Sequence, residues 1–83
     1  MILVSKNKLC ALNSDEIFYY GKNNKHFKLM PDAYQIIAGT ACQSGDEEYV
    51  VLGEYDIESE RDAAFDNLID ALGKNTNGIY KIE

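Results

Sequence analysis

Apolar residues in this chain follow two different periods. Up to Tyr55 they alternate with polar ones or run in short blocks, as strands do. Beyond it Ala64, Phe65, Leu68, Ile69 and Leu72 recur at helical spacing and make one apolar stripe. The strand pattern covers 1–5, 8–12, 17–20 and 26–30, then two longer runs over 33–42 and 48–55. Lys6-Asn7 reads as a two-residue turn, because Asn tolerates positive φ. Asn13-Ser14-Asp15 reads as a turn whose side chains bond nearby backbone. Gly21 to Lys25 reads as a polar loop tip, Pro31-Asp32 as a strand stop and Gly39 as a bulge. Residues 43–46 make a short Gly-containing loop, so the two longer runs pair as a hairpin.

The helix is predicted over about 59–73. Ser59 with Asp62 resembles a capping box, Gly73 suits the C′ position, and Lys74 suits the negative end of the dipole. Ile79 to Ile82 alternates as a last short strand. The fold class that follows is α+β. An antiparallel sheet of about five to six short strands carries one amphipathic helix on a face, and a short C-terminal strand follows. Val50, Leu52, Phe65, Leu68 and Leu72 are the candidate core, within one domain over 1–83.

Composition narrows the classes. The 83 residues are 46 % hydrophobic and 27 % charged, which suits a folded chain and not a disordered one. A domain this small buries only about 60 % of the surface its unfolded chain exposes. No apolar run approaches the ~18 residues of a membrane span. The start lacks a basic stretch before its apolar run, so it does not read as a signal peptide, and the cytoplasmic compartment is expected. Cys10 and Cys42 match no metal or redox spacing and read as buried thiols.

Charge is unevenly spread. Residues 1–30 carry five lysines against two acids, a balance of +3, and residues 31–83 carry three bases against twelve acids, a balance of −9. An acidic second half argues against direct binding of duplex DNA there.

Five stretches could carry chemistry. Leu52-Gly53-Glu54-Tyr55 reads as structural, with Gly53 permitting close approach of strand and helix and Tyr55 packed beneath the helix. Asp56, Glu58 and Glu60 precede or begin the helix, where its dipole favours acids, and their spacing matches no metal loop. His26 is the one histidine, and no nucleophile or orienting acid stands at a recognised spacing from it. Tyr19, Tyr20, Lys22, Lys25, His26, Phe27 and Lys28 form a basic-aromatic cluster that could stack on a base and meet a phosphate. The alternative is a solvated hairpin tip whose lysines guard an edge strand. Residues 46–70 hold ten acids and one base, Arg61. That surface could imitate phosphate charge, or could serve only as the solvated face of a helix.

Several short motifs resemble a widespread group of small uncharacterised proteins from phages, prophages and Gram-positive bacteria. They are Ser5, Leu12-Asn13-Ser14-Asp15-Glu16-Ile17, Leu52-Gly53-Glu54-Tyr55 and Ile79-Tyr80, together with the spacing from Tyr55 to Ala64, Phe65 and Leu68. Ile57 stands where that group carries Ser. The resemblance implies the fold and a mobile-element setting, and no catalytic residue.

The expected function is therefore that of a non-enzymatic accessory protein needing no cofactor. It would bind a host protein stoichiometrically, inhibiting a defence or nucleic-acid-handling protein through Glu54, Asp56, Glu58, Asp62, Asp66 and Asp70. The alternative is a binder of a small signalling nucleotide using Tyr19, Tyr20, Lys22, Lys25, His26 and Lys28. Exposed edge strands invite a homo-oligomer in either case.

Overall fold

A computed structural model describes residues 1–26, 28–41, 47–74 and 78–83. The elements run β1 (Ile2–Val4), β2 (Ala11–Asn13), a 3-10 turn (Ser14–Glu16), β3 (Ile17–Lys25), β4 (Ala33–Ala41), β5 (Glu47–Tyr55), α1 (Glu58–Gly73) and β6 (Ile79–Lys81). This is the α+β arrangement the pattern predicts, with α1 packed on β4 and β5. The strands divide, however, into two three-stranded sheets, ordered β2-β1-β6 and β3-β4-β5. β1 runs antiparallel to β2 and parallel to β6. The second sheet is an antiparallel meander.

The core lies where both sheets meet α1. Leu3 comes from β1, Ile36 and Ala38 from β4, Leu52 and Tyr55 from β5, Leu68 from α1, and Ile82 follows β6. Val50 stays half-buried, and Phe65 and Leu72 pack against the cluster from its margin. The chain's last residues are tied down: Ile82 N donates to the Val4 carbonyl at 3.0 Å, and the Tyr55 hydroxyl donates to the Glu83 carbonyl.

The two sheets join at an extra residue in β5. Ile36 faces Gly53 while Ile37 faces Val51, so Leu52 has no partner of its own in β4. Its side chain is 1 % exposed in the core, and its carbonyl accepts from Lys6 N at 2.7 Å. A bulge of this kind frees one residue from the ladder. Here the freed carbonyl meets the end of β1.

Several local expectations change. The β1–β2 connection is longer than two residues, and the positive φ (62°) falls on Lys8, not Asn7. Ser5 organises it, donating from Oγ to Asn7 Oδ1 and accepting from Cys10 N. Cys10 is half-buried in this connection, and Cys42 lies outside the described residues, as does the predicted loop 43–46. Asn13 caps the 3-10 turn by accepting from Asp15 N, as its side chain suggests.

Gly21 to Lys25 is not a loop tip. β3 continues through it, paired with β4 as far as Lys25 opposite Ala33. Lys22 and Asn24 meet partners in α1 and Asn23 meets one in β4, so alternating polarity there marks two occupied faces. The predicted strand 26–30 does not form among the described residues. His26 and Lys28 to Met30 lie outside any strand, and Leu29 is 98 % exposed.

The bulge expected at Gly39 sits on the facing strand, at Phe18. Tyr19 and Tyr49 both stand in register with Gly39. A Cβ at Gly39 would collide with the Tyr19 ring, which occupies the space over the glycine. Gly53 does not bring strand and helix together. A Cβ there would come within 3.0 Å of the Tyr55 ring, so this glycine makes room for its own strand's tyrosine.

α1 starts at Glu58, one residue before the predicted cap. Ile57 occupies the N-cap position and makes no side-chain bond. Ser59 and Asp62 form no capping box, because Asp62 is engaged elsewhere. Gly73 is the last helical residue, and the cap is Lys74 in right-handed conformation. The buried stripe is also rotated from the predicted one. Arg61 is 4 % exposed, while Ile69 is 45 % exposed.

Two stability outcomes follow. Gly39→Ala should cost about 1–3 kcal/mol by displacing Tyr19. In a Tyr19→Ala background the same substitution should cost little, as urea unfolding of the double-mutant cycle will show. The Tyr20 hydroxyl is buried with no hydrogen-bond partner among the described residues. Since an unpaired buried polar group costs about 1–3 kcal/mol, Tyr20→Phe should raise the urea midpoint. A lowered midpoint would contradict that.

Candidate functional site

The alternation of β3 settles what the basic-aromatic cluster can do. Tyr20, Lys22 and Asn24 point toward α1. Tyr20 packs on the core. Lys22 Nζ lies 3.3 Å from Asp62 and 5.2 Å from the Phe65 ring centre. Tyr19 and Lys25 belong to the opposite face of the strand. His26 and Lys28 lie beyond its end, and His26 Nδ1 stands 2.9 Å from Asp32. Phe27 is outside the described residues. The cluster is contiguous in sequence and divided in space, so its six described residues do not converge on one ligand.

The predicted acidic face divides as well. Glu54 sits on the sheet face turned away from α1, where its carboxylate accepts from Gln35 Nε2 at 3.0 Å. Asp56 and Glu58 are exposed at the approach to α1 and in its first turn. Asp62, Asp66 and Asp70 follow one another at four-residue intervals on the solvent side of α1. Asp70 meets Lys74 at 3.6 Å, with both side chains largely exposed.

Arg61 is the residue that sequence reasoning missed. Its Nε donates to Asp62 Oδ1 at 2.7 Å, and its Nη1 donates to Asn24 Oδ1 at 2.9 Å and to the Asn23 carbonyl at 3.4 Å. Its guanidinium carbon lies 5.6 Å from the Tyr34 ring centre. The guanidinium thus ties the first turns of α1 to β3 and β4 through charge-assisted bonds. One signal was available. Arg61 shares the helical phase of Ala64, Phe65 and Leu68, and a base on an apolar stripe must find partners to be buried there.

The hydrogen bond from Arg61, reinforced by Lys22, holds the Asp62 carboxyl below its ordinary value. Burial pushes the Tyr20, Tyr55 and Tyr80 hydroxyls above the ordinary tyrosine range.

On the sheet face away from α1, Asn23 Nδ2 donates to Gln35 Oε1 at 3.0 Å, and Gln35 passes the chain on to Glu54. This three-strand polar ladder borders a groove of about 570 Å³, lined among others by Lys6, Asn7, Lys25 and Val51. Among the described residues no three His, Cys, Asp or Glu side chains group closely enough to hold a metal ion. Among them no helix is long and apolar enough to cross a membrane.

The Asp62 interaction sets a pH dependence. A carboxyl held low in the folded state stabilises the fold above its unfolded value of 3.8 and loses that contribution as pH falls through the folded value. Asp62→Asn should therefore lower the urea midpoint at about pH 7, and the deficit relative to the parent should shrink toward about pH 3. The effect should be modest, because the Asp62 side chain is 38 % exposed. A deficit that stays constant across that range would show that the carboxylate's charge contributes nothing.

Comparisons with known protein families, with curated proteins and with solved structures returned no match to this chain.

Proposed function

We propose that this protein works without catalysis, by stoichiometric binding of a protein partner whose contact surface is basic. One observation carries the reading. Arg61 is the only base between residues 46 and 70, and it is turned inward. Its charge is spent on Asp62, Asn24 and Asn23. The solvent side of α1 therefore presents Asp66 and Asp70, with Asp56, Glu58 and Glu60 around its start, and the helix carries no other base of its own before Lys74. Carboxylates at four-residue steps along a helix stand about 6 Å apart, close to the phosphate spacing of a nucleic-acid strand. A nucleic-acid-handling protein carries the complementary basic groove. Occupying that groove would inhibit it, and the encounter would take place in the cytosol of the host.

Asp62 and Glu54 leave the contact surface in this reading. Asp62 is neutralised by Arg61 and Lys22, and Glu54 lies on another face. What remains is Asp56, Glu58, Asp66 and Asp70.

The partner can be captured from host lysate, identified by mass spectrometry, and its association rate measured against salt. Electrostatic steering should make that rate fall steeply as salt rises. Asp66→Lys with Asp70→Lys should slow association by about tenfold or more at low salt and leave the urea midpoint within about 0.5 kcal/mol of the parent. An association rate indifferent to both salt and this double substitution would refute the acidic-helix reading.

A further inference from the structure

The groove beside the Asn23–Gln35–Glu54 ladder has the makings of a second site, independent of α1. Its volume, about 570 Å³, lies within the ~300–1,000 Å³ range of small-molecule sites. Its polar end is positioned by bonds already made. Lys6 is fixed twice, because Nζ donates to the Glu54 carbonyl at 2.9 Å and sits 3.9 Å from the Tyr55 ring centre. An ammonium has three donors, so that carbonyl engages only one of them.

Asn7 is fixed through its amide oxygen, which accepts from Ser5 Oγ at 2.7 Å and from Leu9 N at 3.0 Å. Its NH₂ group is then the half of the amide left to face outward. Gln35, 4 % exposed, is fixed at both ends by Asn23 and Glu54 and keeps a second Nε2 hydrogen. Lys6 and Lys25 line this groove, and Glu54 is the one carboxylate among its lining residues, inside a chain of −6. A concentration of hydrogen-bond donors on an acidic protein is an anion-binding feature.

The other end is apolar. Val51 lines the groove, and Ile37 pairs with it on the same sheet face. Beyond them lie Tyr49, 56 % exposed, and Tyr19, 42 % exposed with its ring packed against Gly39. A side chain already packed in place loses little further rotamer freedom on contact with a ligand.

We propose that this groove binds a small organic anion with a single negative charge on its head group and a flat apolar body. The head meets Lys6, Asn7 and Gln35, and the body runs over Val51 toward Tyr49. Glu54 sets the charge limit, because the second charge of a dianionic head would stand against its carboxylate. Both a carboxylate and a phosphodiester satisfy that limit, and the test separates them.

The full chain, labelled with ¹⁵N, is titrated with naphthoate, with 3′,5′-cyclic adenosine monophosphate and with inorganic phosphate. The expected result is saturable amide shifts centred on Lys6, Gln35, Val51 and Glu54 for one of the two aromatic monoanions, with phosphate clearly weaker. Whichever aromatic probe saturates names the head group. Lys6→Met should weaken that probe about tenfold while Lys6→Arg retains it, and the spectra themselves show that each variant is folded. Asp66→Lys with Asp70→Lys should leave the affinity unchanged, which separates this site from the protein-binding face. Absence of saturable shifts with both aromatic probes would overturn the proposal. So would equal binding by Lys6→Met, or phosphate binding as tightly as the aromatic anions.

Discussion

The hydrogen bond from Lys6 N to the Leu52 carbonyl couples the two sheets, and the rest of the structure depends on it. A regular β5 would pair each residue with β4 or leave its outer edge bare. The one extra residue changes that. Leu52 turns its side chain into the core and its carbonyl toward β1. The same shift carries Gly53 under the Tyr55 ring, and Tyr55 then reaches the Glu83 carbonyl. Lys6 adds its own side chain, spanning to the Glu54 carbonyl and the Tyr55 ring. A short first strand of three residues could not hold its place by ladder bonds alone. It holds because β5 was bent to receive it.

Charge in this molecule is arranged by depth as well as by sequence. The lone base on α1 goes inward and the acids around it stay out, so a chain of modest negative charge presents one strongly acidic surface. Lys22 crosses from β3 to the edge of that surface and ends it at Asp62. On the far side of the second sheet Lys6 and Lys25 line a groove with a single carboxylate. The two faces share β5 and its continuation into α1, and differ in the partner chemistry they suit.

The helix and the β4–β5 pairing were legible because each repeats its period for long enough to stand out. β3 was half legible. Ile17 to Tyr20 shows apolar strand character, and Lys22 and Asn24 do not, since their burial comes from partners in α1 that no local pattern reveals. The parallel pairing of β1 with β6 joins Ile2 to Ile79, and contacts at that separation leave no periodic trace. The grouping of Glu54 with Asp62, Asp66 and Asp70 failed for a related reason. Neighbours in sequence that straddle a strand and a helix face different ways, and only the pleat of β5 says which. Arg61 was hidden by its charge, which reads as solvent-facing unless its helical phase is weighed.

The pairing of β1 with β6 also shapes how the molecule is made. The meander β3-β4-β5 and the helix behind it are built from contacts between neighbours in the chain, which close quickly and lose little entropy in doing so. The first sheet cannot finish until residues 79–81 are available to β1. Until then β1 and β2 form only a two-stranded ribbon, too small to be stable alone, and Leu3 waits for the Ile82 that completes its surroundings. Of all the pairings in the fold, the closing of β1 against β6 therefore spans the longest stretch of chain.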